Sequence, residues 1–229
     1  MIKPIYDDTV DVGPVGGLRE LFEASSIAVV GASRSEGKIG HVVLRNIIDS
    51  GYRGALYPVN PKADSILGLR TFPDVSSIPG EVEMVVITVP NHAVPQVMED
   101  AGEKGVKVAV VITAGFKETG RKGAELEHRV GEIARKHGIR VLGPNCLGVI
   151  STSNAMNATF TNDYPKEGSV AITSQSGAIC SVVLDWARAT RIGFSKFVSV
   201  GNKLDIDEAD LMAYLKDDEG TKVIGMYIE

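Results

Sequence analysis

Short, continuously apolar runs rich in β-branched residues alternate with segments of helical periodicity, and this alternation constrains the fold more than any other feature. Residues 26–31 end on a glycine, as a strand buried on both faces does. Ile39, Val42, Val43, Leu44, Ile47 and Ile48 then recur at helical spacing, and Gly51 stops that helix. The pattern repeats with expected strands at 55–59, 84–89, 106–113 and 139–142 and expected helices at 93–104 and 122–137. Such alternation specifies an α/β fold, a parallel sheet wrapped by helices. A polar stretch rich in Asn and Thr, 151–168, interrupts it. A second series follows: strands at 169–173, 197–200 and 223–228, and helices at 177–188 and 208–216. We therefore expect an N-terminal arm at 1–17, a first domain at 18–150, and a second domain at 151–229 that is cut short on its last strand.

Composition narrows the functional classes. The chain has 229 residues, 44% hydrophobic and 23% charged, an ordinary globular balance. Its formal charge of −5 argues against a general nucleic-acid coat, and 6% aromatics is too sparse for a base-stacking platform. Two cysteines are too few for a disulfide framework, so a cytoplasmic setting is expected. No apolar run approaches a membrane span, and the first residues do not read as a signal peptide. Cys and His show no metal-ligand spacing, so no metal site is expected.

Unusual residues cluster at the expected carboxyl ends of strands, where open α/β sheets bind ligands. After the first strand comes Gly31-Ala-Ser-Arg-Ser-Glu-Gly-Lys-Ile-Gly40. Glycines let backbone approach a phosphate, and a helix N-terminus offers free N–H groups. Ser33, Arg34, Ser35 and Lys38 add donors. The spacing departs from G-x-G-x-x-G, so the turn suits either a phosphate or a structural role. The second strand ends in Tyr57-Pro-Val-Asn-Pro-Lys62, placing Lys62 where an NAD site carries an acid. That cation suits a ribose phosphate; the alternative is a solvated loop lysine. Further strand ends carry Val89-Pro-Asn-His92, Thr113-Ala-Gly-Phe116 and Gly143-Pro-Asn-Cys146, and together these turns suggest an elongated groove. The Asn145 amide can donate to a carbonyl, and Cys146 reads as a buried or lining thiol. Thr173-Ser-Gln-Ser-Gly-Ala178 joins a strand to a helix without the glycine a nucleophile elbow needs, leaving an anion pocket or an ordinary Ser cap. His128 and His137 fall on a charged helix and are expected in solvent.

Taken in order, the runs 27–40, Tyr57–Lys62, Ile112–Phe116, Gly143–Val149 and Ser174–Gly177 resemble the α part of ADP-forming acyl-CoA synthetases, acetate–CoA ligase among them, and are similar to the succinyl-CoA synthetase α subunit. The resemblance implies a Rossmann-like CoA-binding domain followed by a flavodoxin-like domain. It implies an acid–thiol ligase interconverting acyl-CoA, ADP and phosphate with acid, ATP and CoA through an acyl phosphate and a phosphohistidine. It implies that Gly31, Ser33, Arg34, Ser35 and Lys38 hold CoA phosphates. Asn60 and Lys62 would face the 3′-phosphate end, and Pro90, Ala114, Gly115 and Phe116 would line the pantetheine path. Asn145 would lie by the thioester, while Ser174, Ser176 and Gly177 would cradle the phosphoryl group. Glu229 matches the acid that orients the phosphorylated histidine, which the family pattern places after Glu229 and so outside this chain. ADP or ATP with Mg would bind an ATP-grasp subunit or domain, in an oligomer that takes a small carboxylic acid. Two other readings fit the motifs less well: an NADP-dependent Rossmann oxidoreductase, and a CoA-sensing module of an acyltransferase.

Overall fold

The computed structural model describes residues 18–161 and 164–229; the expected arm at 1–17 lies outside them. Helix α1 (Leu18–Glu23) leads into β1 (Ser26–Val30), α2 (Ile39–Asp49) and β2 (Ala55–Val59). A small hairpin, β3 (Ser65–Ile66) and β4 (Leu69–Arg70), precedes β5 (Met84–Ile87), α3 (Val94–Lys104), β6 (Val108–Val111), α4 (Arg121–His137) and β7 (Arg140–Leu142). Strands β2-β1-β5-β6-β7 form one sheet in that order, every pairing parallel. All residues of β1, β5 and β6 are buried, which is why their sequences carry no polar alternation.

The second half is built from β8 (Gly148–Ser151), β9 (Met156–Thr159), β10 (Glu167–Ser174), α5 (Gly177–Thr190), β11 (Phe194–Ser199), α6 (Glu208–Leu215) and β12 (Val223–Tyr227). Its sheet runs β12-β10-β11-β8-β9. Here β10 pairs parallel with both β11 and β12, but β8 runs antiparallel to β11 and to β9. The fold class is therefore α/β as expected, with a mixed second sheet, and β8 begins before residue 150.

Three local expectations are corrected. The polar stretch after residue 150 carries a strand, because its polar groups are satisfied internally: the Thr159 hydroxyl donates to Asn157 Oδ1 at 2.6 Å, and the Asn46 amide of α2 donates to the Thr159 carbonyl at 2.9 Å. On α2 the buried face holds His41 and Asn46, whereas Ile39 and Ile48 are exposed. His137 is not free in solvent. It packs against Gly102 and lies 2.7 Å from Glu99. Among the described residues no helix is long and apolar enough to cross a membrane.

Candidate functional site

The sheet order sets the turns at the carboxyl edge of the first sheet in a row: those after β2, β1, β5, β6 and β7. Hydrogen bonds stitch each to the next. Asn60 Nδ2 donates to the Ala32 carbonyl at 2.7 Å, and Thr88 Oγ1 to the Val30 carbonyl at 3.0 Å. Thr113 Oγ1 donates to the Val89 carbonyl at 2.7 Å, Asn91 Nδ2 to the Gly115 carbonyl at 2.6 Å, and the Asn145 N–H to the Thr113 carbonyl at 3.0 Å. The row is one continuous rim.

At one end, Gly31 takes φ +93° and Gly40, in the first turn of α2, comes so close that a Cβ there would lie 2.0 Å from the Gly31 carbonyl oxygen. Only glycine permits that approach of helix to turn. Arg34 donates from Nη2 to the Lys62 carbonyl at 3.1 Å, and the Lys62 N–H donates to Asn60 Oδ1 at 2.8 Å. The Ser35 N–H donates to Ser33 Oγ at 3.0 Å. Lys38 caps α2 without a side-chain hydrogen bond, so the helix mouth stays open beside these cations. Arg34, Lys38 and Lys62 are exposed, and among the described residues they form no ion pair. Unneutralised cations beside an open helix N-terminus are a site for anionic oxygens.

At the other end lies a cavity of about 710 Å³ between the two sheets. Ile39, the first residue of α2, lines it and joins it to the cationic end. Of the expected residues it gathers Ala114, Asn145, Gly177 and Glu229. Ser174 and Ser176 turn their hydroxyls into their own loop: Ser174 Oγ accepts from the Ser176 N–H at 3.1 Å, and Ser176 Oγ caps α5 by accepting from the Ile179 N–H at 3.4 Å. The groups of that loop facing the cavity are Gln175, Gly177 and Ala178. Phe116 is fully buried in the first core, leaving its backbone to the turn, and Pro90 is exposed on the rim outside the cavity.

Among the lining residues to which the sequence reading gave no role are Lys117, Gln175, Asn202 and Lys203. Lys203 Nζ lies 3.1 Å from Gln175 Oε1 and 3.2 Å from Glu208, and Gln175 Oε1 also accepts the Glu229 N–H at 3.0 Å. Lys117 Nζ pairs with Glu127 at 3.3 Å and donates to the Asn202 carbonyl. They come from loops remote in sequence, and the non-Gly left-handed backbone of Lys203 (φ +54°) carries no mark in its own triplet. Burial of Glu118 works to raise its carboxyl, but hydrogen bonds from Asn202 and from the Gly115 and Phe116 N–H groups outweigh it and hold the group below the ordinary range. Burial pushes the Cys146 thiol up to about 12, leaving a lining thiol rather than a thiolate nucleophile.

Comparison with known proteins agrees with this layout. Residues 25–152 match the model for the CoA binding domain, and 167–229 that for the succinyl-CoA ligase like flavodoxin domain. The chain is 47% identical over 212 residues to the ADP-forming acetate–CoA ligase of Methanocaldococcus jannaschii, covering 93% of this chain and 30% of that protein. It is 46% identical over 216 residues to the α subunit of ADP-forming acetate–CoA ligase I of Pyrococcus furiosus, covering 93% and 47%. A dinucleotide-forming acetyl-coenzyme A synthetase 1 of Ca. Korarchaeum cryptofilum, solved with phosphate and ADP, superposes with a TM-score of 0.90 at 45% identity, over 93% of this chain and 45% of that one. The chain thus spans less than half the length of these relatives. The rim, the cavity and the matched models converge on one assignment: the chain belongs to the CoA-binding-domain family, in the arrangement shared with the α parts of ADP-forming acetate–CoA ligases.

Proposed function

We propose that this chain is the CoA-binding part of an ADP-forming acid–thiol ligase interconverting acyl-CoA, ADP and phosphate with acid, ATP and CoA. One observation carries the reading: cations that form no ion pair among the described residues at one end of a continuous strand-end rim, and a cavity carrying Asn145, Gln175, Lys203 and Glu229 by the α5 N-terminus at the other. CoA is long, anionic at its nucleotide end and reactive at its thiol end, and the donor set runs in that order.

Arg34, Lys38 and Lys62, with Gly31, Ser33, Ser35 and Asn60 shaping their loops, hold the phosphates and the 3′-phosphate end. Pro90, Ala114, Gly115 and the Phe116 backbone border the pantetheine arm, which leads to Asn145. Gly177 lines the cavity at the start of α5, where a Cβ would meet only the Leu147 side chain at 3.7 Å, in a loop whose shape Ser174 and Ser176 fix. Bound acyl-CoA supplies an activated thioester carbonyl. Around it, Asn145 donates to the acyl oxygen, where charge develops as phosphate attacks, and the α5 N-terminus steadies the attacking phosphate. Glu229, at the cavity wall, orients a phosphorylated histidine supplied from outside the residues described. Residues 18–150 thus serve the carrier and 151–229 the phosphoryl group. ADP or ATP with Mg belongs to an ATP-grasp partner, the acid is a small carboxylate, and the assembly is an oligomer of the cytoplasm.

Calorimetric titration tests this. CoA should bind about tenfold more tightly than dephospho-CoA, since the missing phosphate forfeits charge-assisted bonds to the Lys62 end. NADPH should give no heat. Equal affinity for CoA and dephospho-CoA, or saturable NADPH binding, overturns the assignment.

A further inference from the structure

Asn202 reaches the cavity with its amide nitrogen already committed. Nδ2 donates to Glu118 Oε2 at 2.7 Å and to Glu127 Oε2 at 2.8 Å. Ionised carboxylates only accept, so both hydrogens of that nitrogen are used and the amide cannot flip. The carboxylates are themselves held. Glu118 accepts the Gly115 N–H at 2.5 Å and the Phe116 N–H at 3.1 Å, while buried Glu127 accepts the Lys117 N–H at 3.1 Å and pairs with its ammonium. The backbone is fixed too, the Asn202 N–H donating to the Pro144 carbonyl at 2.8 Å.

With its nitrogen fixed, Asn202 must present Oδ1 to its neighbour, and that oxygen accepts from Asn145 Nδ2 at 3.3 Å. An amide nitrogen has two hydrogens. One is taken by Asn202; the other belongs to an exposed side chain on the cavity wall, carried on a left-handed backbone (φ +58°). We propose that Glu118, Glu127 and Asn202 are positioning residues that lock the Asn145 amide so that its free N–H, not its carbonyl, meets the acyl oxygen of the bound thioester. Resting on the CoA reading above, this assigns the site a preference for the acylated over the free carrier. A preorganised donor aimed at an acyl oxygen strengthens as that oxygen gains charge, which is the condition for accelerating attack at the carbonyl.

The test uses the full chain, CoA and acetyl-CoA labelled with 13C at the thioester carbonyl. The wild-type protein should favour acetyl-CoA over CoA and lower the carbonyl stretching frequency of the bound thioester. Asn202→Ala should cut the preference about three- to tenfold, the worth of one hydrogen bond, and return the stretch toward its value in water. Asn145→Ala should do the same, and adding Asn202→Ala to it should change nothing further. Glu118→Gln, whose amide can donate as well as accept, should give a smaller loss in the same direction and stands in if Asn202→Ala does not fold. An unshifted stretch in the wild type, an equal fall in both affinities, or additive effects of the two Asn variants overturns the lock while leaving CoA binding intact. Failure of the wild type to bind either carrier overturns the CoA reading and the lock with it.

Discussion

Gly201 joins the two halves of the protein through a contact that no other residue permits. Its φ is +58°, and a Cβ there would lie 2.3 Å from the Pro144 carbonyl oxygen and 2.6 Å from that of Asn145. Gly201→Ala should therefore cost about 2 kcal/mol and lower the melting temperature by about 4–8 °C, read by calorimetry. Cys146 makes a second expectation, in pH. Burial raises its thiol from 9.0 to about 12, and raises that of Cys180 to about 11 against weaker opposing bonds from Ser174 and Ser199. Below pH 9 both folded and unfolded chains keep these protons. Above it the unfolded chain releases protons that the folded chain holds, so stability falls as pH rises, by up to about 1.4 kcal/mol per unit for each thiol. Cys146→Ala should make that decline shallower by about 1 kcal/mol per unit between pH 9 and 11, measured by urea unfolding at stepped pH. The inertness of Cys146 is legible in part, since no cation stands beside it in sequence, but its cause is burial. Lys117 and Asn202 are different. Each is an ordinary loop residue in its own segment, and their meeting at Glu127 depends on how α4 packs, which no local pattern encodes.

The elements most readable in the sequence are those buried on both faces. β1, β5 and β6 must be apolar throughout to survive between two helical layers, so their composition announces them. β9 escapes the same reasoning because its Asn157 and Thr159 are polar, yet they are buried and hydrogen-bonded within the strand. Helix α5 shows how little a motif says about the direction of its hydroxyls. Ser176 follows a strand end as an anion-pocket serine would, but its oxygen serves as the cap. Ser176→Ala should thus cost about 1 kcal/mol and speed amide exchange in the first turn, 177–180, ahead of the rest of the helix. Exchange unchanged in that turn would mean that the cap contributes nothing and the hydroxyl is free for ligand.

The two sheets are coupled by backbone hydrogen bonds and charge as well as by apolar packing. The loop after β11 adds itself to the edge of β7: the Leu204 N–H donates to the Gly143 carbonyl at 2.9 Å, and the Ile206 N–H to the Val141 carbonyl at 3.0 Å. Asp205 between them accepts the Val141 N–H at 2.8 Å and holds Arg140 Nε at 2.9 Å, while Arg140 Nη2 reaches Asp210 at the cap of α6 at 2.8 Å. Both sheets also share one core cluster, from Ile27 and Val108 of the first to Val149, Ala171 and Val198 of the second. A shared core with a hydrogen-bonded seam makes unfolding of one half expose the other, so the described residues should melt in one transition. Asp205→Ala leaves the Val141 N–H without its carboxylate and Arg140 with fewer acceptors in a half-buried seam, at a cost of about 2 kcal/mol. If the halves are one cooperative unit, the variant melts earlier but still in a single step, with far-UV dichroism and tryptophan fluorescence coincident, since Trp186 reports only the second half. Two separated transitions would show that the two halves are independent. The shape of the cavity between them would then not be fixed by the fold alone.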